Sequence, residues 1–439
     1  MAMNITPTLL KTYKLSLLDQ LSPPMYAPLL LFYAPVESDK KIDHDHFKSS
    51  LSKTLTHFYP FAGCFKDAFS VECNDHGVVY TEANVNTDIS LVINQPDADF
   101  LQQLLPCNPH DKLDNLLEQP ILLVRVNFFS CGGIAIGVCI WHVLANASAL
   151  ASFVTSWAEI ARGADNNMDG VVVDCTSLFP PQDLLAFSTG KYLDEKDLLS
   201  TNLLTKRFVF NGSKLASLRE KIGDQPTRVE ALSAVIWGAV IAISQEKDGS
   251  SSATGKPHLA VSIVDLRKRM NPPLPEKCIG NINQLTVAMW PIDMGVDYNG
   301  LVGNFRQSIR MINDEYVRKL HEDNTELRRY ELLISWQKSK FHFVTEDGEY
   351  LKMVKSAGGM MAAGVFSFSS WCKFPFYEAD FGYGKPAWVG TVMGLNNLAV
   401  FIDAKDGEGI EVWISLPKED MVAFEHNPEI LHYASITSG

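Results

Sequence analysis

Gly137-Val138-Cys139-Ile140-Trp141-His142-Val143-Leu144-Ala145-Asn146-Ala147-Ser148 is an apolar run that breaks on a single imidazole. Residues 134–141 read as a buried strand. From Leu150 onward, Leu150, Phe153, Val154, Trp157 and Ile160 form one helical stripe that ends at Gly163. Upstream, the apolar residues 121–129 are separated from 134–141 by Ser130-Cys131-Gly132-Gly133, which predicts a buried hairpin. His142 therefore stands at a strand-to-helix corner. A side chain there can reach a cleft while its backbone stays anchored in a rigid element, which is what a general base requires. Four residues on, where a carboxylate partner would be sought, the chain carries Asn146.

The 439 residues exceed one ordinary core and predict two domains. The chain is 46% hydrophobic and 20% charged, the balance of a soluble globular protein. Lys and Arg total 38 against 51 Asp and Glu, a formal charge of −13. That balance speaks against a nucleic-acid partner, which calls for a basic footprint. The 8 cysteines are scattered without a Cys-x-x-Cys pair and read as free thiols of a reducing compartment. The first residues carry no basic region followed by an apolar core, and no uncharged apolar run approaches the ~18 residues of a membrane span. The expectation is a cytoplasmic protein with no membrane partner.

Residues 45–58 place Phe47, Leu51, Leu55 and Phe58 at helical spacing, and Tyr59-Pro60 ends that helix. Residues 163–205 are irregular, with Asn166-Asn167 and Pro180-Pro181, and fit an interdomain crossover. A new strand begins at Lys206, and Thr227 with Glu230 fits a capping box ahead of the apolar residues 231–243. Residues 247–256 read as a flexible surface loop, residues 301–341 as helix-rich, and the chain from 360 to 416 as short strands. The Met- and Phe-rich residues 353–368 read either as core or as the lining of an acceptor pocket. The expected division is residues 1–178, a linker over 179–205, and residues 206–439.

Several motif matches fail. Between Gly249 and Gly255 stand five residues, and Pro257 replaces the Ser or Thr of a phosphate loop. Gly382-x-Gly384 runs into Lys385-Pro386, so no helix follows to hold a pyrophosphate. Asp43-His44-Asp45-His46 lacks a distant cluster to complete a metal site and reads as a solvated turn. No Gly-x-Ser-x-Gly elbow is present. Asp265-Leu266-Arg267 closes the apolar run 259–264, where a charge ending a buried strand needs a partner. Asp380-Phe381-Gly382-Tyr383-Gly384 is a glycine-bracketed aromatic turn.

In this order these residues resemble the plant BAHD acyltransferases, marked by His-x-x-x-Asp near the middle and Asp-Phe-Gly-Trp-Gly near the end. The resemblance spans almost the whole chain. It includes residues 15–19, 58–63 and 131–133, then 265–267, 280–281 and 380–384. Within the family it is nearest to the vinorine synthase-like alkaloid O-acetyltransferases.

The resemblance implies an α/β fold of two similar-sized domains with mixed β-sheets and flanking helices, with an active-site channel at the domain interface. It implies a monomer with no permanently bound cofactor and no metal. Acetyl-CoA or another acyl-CoA would be co-substrate and a small-molecule alcohol the acceptor, meeting at His142. His142 would be the general base and Tyr383, where the family has Trp, a candidate oxyanion donor. Asp265, Arg267, Asp380, Gly382 and Gly384 would shape the site. Asn146 stands where the family has Asp, the carboxylate that pairs with the arginine matched here by Arg267, so Arg267 is expected to lack a counter-charge. Two readings stay open. One is an acyltransferase that tolerates Asn146. The other is a repurposed fold that catalyses elimination or cyclisation, or acts as a non-catalytic accessory partner.

Overall fold

The computed structural model describes residues 12–35, 43–111, 113, 115–164, 171, 174–181, 202–248, 257–322 and 365–436. Most of the expected linker, the loop 249–256 and residues 353–364 of the Met- and Phe-rich stretch lie outside the described residues.

Fifteen strands are described: β1 (Thr12–Lys14), β2 (Tyr26–Tyr33), β3 (Cys64–Asp67), β4 (Ser70–Glu72), β5 (Val79–Val85), β6 (Leu122–Phe129), β7 (Ile134–Trp141), β8 (Leu203–Phe210), β9 (His258–Asp265), β10 (Asn283–Trp290), β11 (Val365–Ser370), β12 (Trp388–Gly390), β13 (Leu398–Asp403), β14 (Ile410–Pro417) and β15 (Ser435–Ile436). They form a five-stranded sheet ordered β12-β2-β7-β6-β5, a seven-stranded sheet ordered β10-β9-β11-β13-β14-β8-β15, and a small sheet β1-β4-β3. Both large sheets are mixed. β5 runs parallel to β6, and β11 runs parallel to both β9 and β13.

The predicted hairpin is present, with Phe128 opposite Ile134. β7 is the middle strand of its sheet and every residue in it is buried, which is why its apolar run is unbroken. The helix Ala147–Ala161 follows, and Gly163 adopts φ +81° just past its end. The capping box of Thr227 is formed: Thr227 N–H donates to Glu230 Oε2 at 2.7 Å, and Glu230 N–H donates to Thr227 Oγ1 at 3.2 Å. It starts the helix Arg228–Asp248, long and apolar enough to cross a membrane by length and composition. Here it is the central helix of the second core, with Leu232, Val235, Trp237 and Ile241 buried under the seven-stranded sheet.

Part of the 206–439 segment leaves the second sheet. β12 pairs antiparallel with β2, Val389 opposite Leu31, and so completes the first sheet. Trp371, Phe376, Phe381 and Trp388 are buried in the first core. The fold-back buries these four aromatics in the first core rather than the second.

Where the halves meet, a buried ion pair of the second sheet reaches across to the first. Arg207 of β8 donates twice to Glu411 of β14, at 2.7 and 3.0 Å, with side chains only 10% and 7% exposed. Glu411 also accepts from Trp388 Nε1 of the first sheet at 2.8 Å. Arg207 donates to the carbonyl of Ile93, again in the first half, at 3.4 Å.

Candidate active site

β7 delivers His142 to the interface. His142 N–H donates to Met25 O at 2.8 Å, extending the β2 ladder by one residue, and then the chain turns. Asn146 ends the turn in an extended conformation (φ −85°, ψ 178°) and caps the helix Ala147–Ala161: its Oδ1 accepts from Ala149 N–H at 3.0 Å. The four-residue spacing of His142 and Asn146 is the length of this corner.

A second chain segment clamps the corner. The Asn281 side-chain amide donates to the carbonyls of His142 and Val143 at 2.7 and 2.9 Å. Asn281 is itself held by buried Asp19, whose Oδ1 accepts from Asn281 N–H at 2.7 Å and from Nδ2 at 3.2 Å. The other Asp19 oxygen accepts from Ser16 N–H and Oγ at 2.9 and 2.7 Å. Burial pushes the Asp19 carboxyl above its ordinary value, and the bonds from Asn281 and Ser16 oppose that rise. Gly280 is needed beside them. It has φ +102°, and an added Cβ would come within 3.4 Å of the Tyr13 hydroxyl and 3.5 Å of Asp19.

His142 lines a cavity of about 240 Å³ between the two halves. Met25, Asn146 and Ser148 continue its wall on the first half. Val261, Ile263 and Asp265 of β9 and Asn283 and Leu285 of β10 line the second half at every other residue, as strand alternation requires. Residues 367–371 with Met393, Leu395, Asn396 and Leu398 continue the lining. The His142 Nδ1 is buried, which leaves Nε2 as the nitrogen able to face the cavity. Burial holds the imidazole pKa below its ordinary value, while hydrogen bonding from the backbone and Asn281 works against the shift. The ring is therefore neutral at pH 7 and ready to accept a proton. Because kcat/KM reports the free enzyme, it should be flat through neutral pH and fall on the acid side, with its midpoint below about 6.5. A midpoint above 7 would contradict a desolvated His142 base.

Arg267, 2% exposed, has a counter-charge after all. Asp265 accepts from Arg267 Nη1 at 2.9 Å and from its backbone N–H at 2.8 Å. Arg267 Nη2 donates to the carbonyls of Cys278 and Gly280 at 2.9 and 3.1 Å, and reaches Asn146 Oδ1 only at 3.5 Å. The expected charge deficit is thus corrected: Asp265, two residues away at the end of the same strand, supplies the carboxylate. Asn146→Asp should keep the cap, add a negative charge at a helix N-terminus near Arg267, and stabilise the fold by about 1 kcal/mol in denaturant unfolding. A loss of stability in that variant would mean that Asn146 is required as an amide.

Tyr383 lies elsewhere. Its ring stacks on Phe47 with centroids 5.6 Å apart, its hydroxyl accepts from Asp43 N–H at 3.2 Å, and it is absent from the cavity wall. Gly382 and Gly384 N–H donate to Asp380 Oδ1 at 2.8 and 3.0 Å, and Arg162 pairs with Asp380 at 3.4 Å. Phe381 meets Trp157 at 4.7 Å. The turn 380–384 therefore braces the C-terminal end of the helix that Asn146 caps. At ~1.5 Å per residue that 15-residue helix is roughly 22 Å long, which separates Tyr383 from His142. The expectation of Tyr383 as an oxyanion donor is corrected on that ground, and Asp380, Gly382 and Gly384 hold the turn together away from the cavity wall.

Residues 43–46 form a helix start rather than a solvated turn. Asp43 caps the helix His44–Leu55, His44 Nδ1 meets Glu82 at 2.9 Å and His46 Nε2 meets the Phe381 carbonyl at 2.9 Å. Among the described residues no group of three or more His, Cys, Asp or Glu could hold a metal ion. Ser367 and Phe368, at the end of the 353–368 stretch read as a possible acceptor-pocket lining, do line the cavity, whereas sequence reasoning passed over Asn283, Asn396, Ser369 and Ser370. The available signal was Val365-Phe366-Ser367-Phe368-Ser369-Ser370, three serines within one short strand.

The chain is 41% identical over 435 residues to a limonoid 21-O-acetyltransferase of Citrus sinensis, covering 98% of this chain and 95% of the relative. It is 34% identical to the stemmadenine O-acetyltransferase of Catharanthus roseus, covering 95% and 92%. The crystal structure of vinorine synthase superposes with a TM-score of 0.77 at 31% identity, covering 98% of this chain and 95% of that one. Residues 4–431 match the model of the Transferase family. With His142 at the cavity between two mixed-sheet halves, the chain belongs to the BAHD acyltransferases of the Transferase family.

Proposed function

We propose that this chain transfers an acetyl group from acetyl-CoA to a hydroxyl of a specialised-metabolite alcohol, with His142 as general base. The observation that carries the reading is the position of His142: a neutral imidazole on the wall of an interdomain cavity, its backbone clamped by Asn281. BAHD enzymes use an acyl-CoA as co-substrate, and the relatives named acetyltransferases support acetyl as the group transferred. The relatives also support a polycyclic acceptor, a limonoid or an alkaloid alcohol. The same reading expects a monomer in the cytoplasm of a plant cell.

An alcohol is barely ionised at neutral pH. As its oxygen bonds to the thioester carbonyl carbon, His142 Nε2 takes the hydroxyl proton. The tetrahedral intermediate then collapses, the C–S bond breaks, and the imidazolium returns the proton to the departing thiolate. The products are the acetate ester and CoA, and His142 ends neutral.

The test is CoA-thiol release with product mass, from acetyl-CoA and a panel of polycyclic alcohols. The reading expects one CoA per molecule of ester. Product formed without acetyl-CoA, or no CoA release with any alcohol, would support a repurposed fold.

A further inference from the structure

Resting on the acyltransferase reading, we propose that Ser367, Asn283 and Asn396 form the acceptor-recognition wall of the cavity. That wall selects a neutral polycyclic alcohol that carries further oxygen functions.

Three observations lead there. First, β11 is an interior strand of the seven-stranded sheet, between β9 and β13, where β-branched and aromatic residues are ordinarily favoured. It carries Ser367, Ser369 and Ser370 instead, and all three line the cavity with His142 on the facing half. Second, the polar groups divide by whether the protein uses them. Ser369 Oγ accepts from Trp371 Nε1 at 3.2 Å. The Ser367 hydroxyl and the Asn283 side-chain amide make no hydrogen bond to the described residues, and Asn396 Oδ1 is buried without a partner. Polar groups converging in an otherwise apolar pocket are how a ligand is oriented, and the half-buried Ser367 and Asn283 side chains are available for that. The apolar remainder, including Ile263, Leu285 and Leu398, suits a rigid hydrocarbon skeleton.

Third, the cavity offers little for a charged acceptor. Among its described lining residues only His142 and Asp265 are ionisable. Burial holds His142 neutral, and both Asp265 oxygens accept from Arg267. A protonated amine would lose its hydration here without gaining an uncommitted carboxylate. A carbonyl, ether or ester oxygen can accept from Ser367 Oγ–H or from an asparagine amide. A second hydroxyl can donate to Ser367 Oγ or to Asn283 Oδ1.

The test uses the full chain, acetyl-CoA and three alcohols of similar size. One is a neutral polycyclic terpenoid alcohol bearing extra oxygen functions, one its counterpart without them, and one a tertiary-amine alcohol protonated at the assay pH. The oxygenated alcohol should have the highest kcat/KM. Ser367→Ala with Asn283→Leu should raise its KM about tenfold, the worth of one to two hydrogen bonds, with kcat changed less than about threefold. The same substitutions should change the KM for the deoxygenated alcohol much less, and Ser367→Thr in the chain that keeps Asn283 should hold the KM of the oxygenated alcohol near wild type. Equal KM changes for both neutral alcohols, or a higher kcat/KM for the amine, would overturn the proposal. If no alcohol releases CoA, the acyltransferase reading fails on its own, and equilibrium binding of the three alcohols to wild type and variants still decides the wall by the same ordering.

Discussion

His142→Ala should lower kcat for acetyl transfer by about 10² to 10⁴, with the acceptor KM changed only a few-fold. The ring lies on the cavity wall and its backbone is fixed by Met25 O and by Asn281, so removing the imidazole takes away the proton acceptor and leaves the corner intact. Burial already keeps the ring unprotonated, so wild type needs no prior deprotonation at neutral pH. The variant should lose the acid limb of the pH profile as well as the rate. The measurement is steady-state CoA-thiol release on wild type and variant. A variant within about tenfold of wild type would show that another group takes the proton.

Glu411→Leu should destabilise the chain by about 3–5 kcal/mol, read as a lower denaturant midpoint. The carboxylate is buried, bidentate to Arg207 and hydrogen-bonded to Trp388, so the substitution strands a guanidinium with little water access and frees an indole N–H. Adding Arg207→Met should recover most of the loss, because replacing both partners of a buried pair with apolar groups is far cheaper than removing one. If Glu411→Leu alone costs under about 1 kcal/mol, the pair is not the buried anchor that its geometry and its bond to Trp388 indicate. Since these residues join β8 and β14 to β12 and the helix Ile89–Asn94, the single variant should also raise the acceptor KM by loosening the cavity.

Much of the corner that carries His142 was legible in the chain. Residues 121–129 and 134–141 are too apolar to be anything but buried strands, the stripe from Leu150 to Ile160 has helical period, and His142 breaks the pattern at their junction. The capping box at Thr227 and the apolar helix behind it follow equally from local rules. These features are carried by period and by capping chemistry, which act over a few residues.

Most of what the sequence could not give depends on which distant segments meet. The carboxylate of Arg267 was a local miss: Asp265 is only two residues away, and a residue order does not say whether its side chain turns back to the guanidinium. The sequence placed Tyr383 at the reaction because an order of motifs carries no distances, whereas the helix Ala147–Ala161 holds residues 380–384 at its far end. Nor did it show that Asn281 and Asp19, 262 residues apart, would meet behind His142, or that three serines of β11 would face it. Alternation and capping are local and readable along the chain. The cavity, the clamp on His142 and the bonds from Trp388 to Glu411 and from Arg207 to Ile93 arise only when two separately buried cores close on each other, and that closure set the geometry of the site.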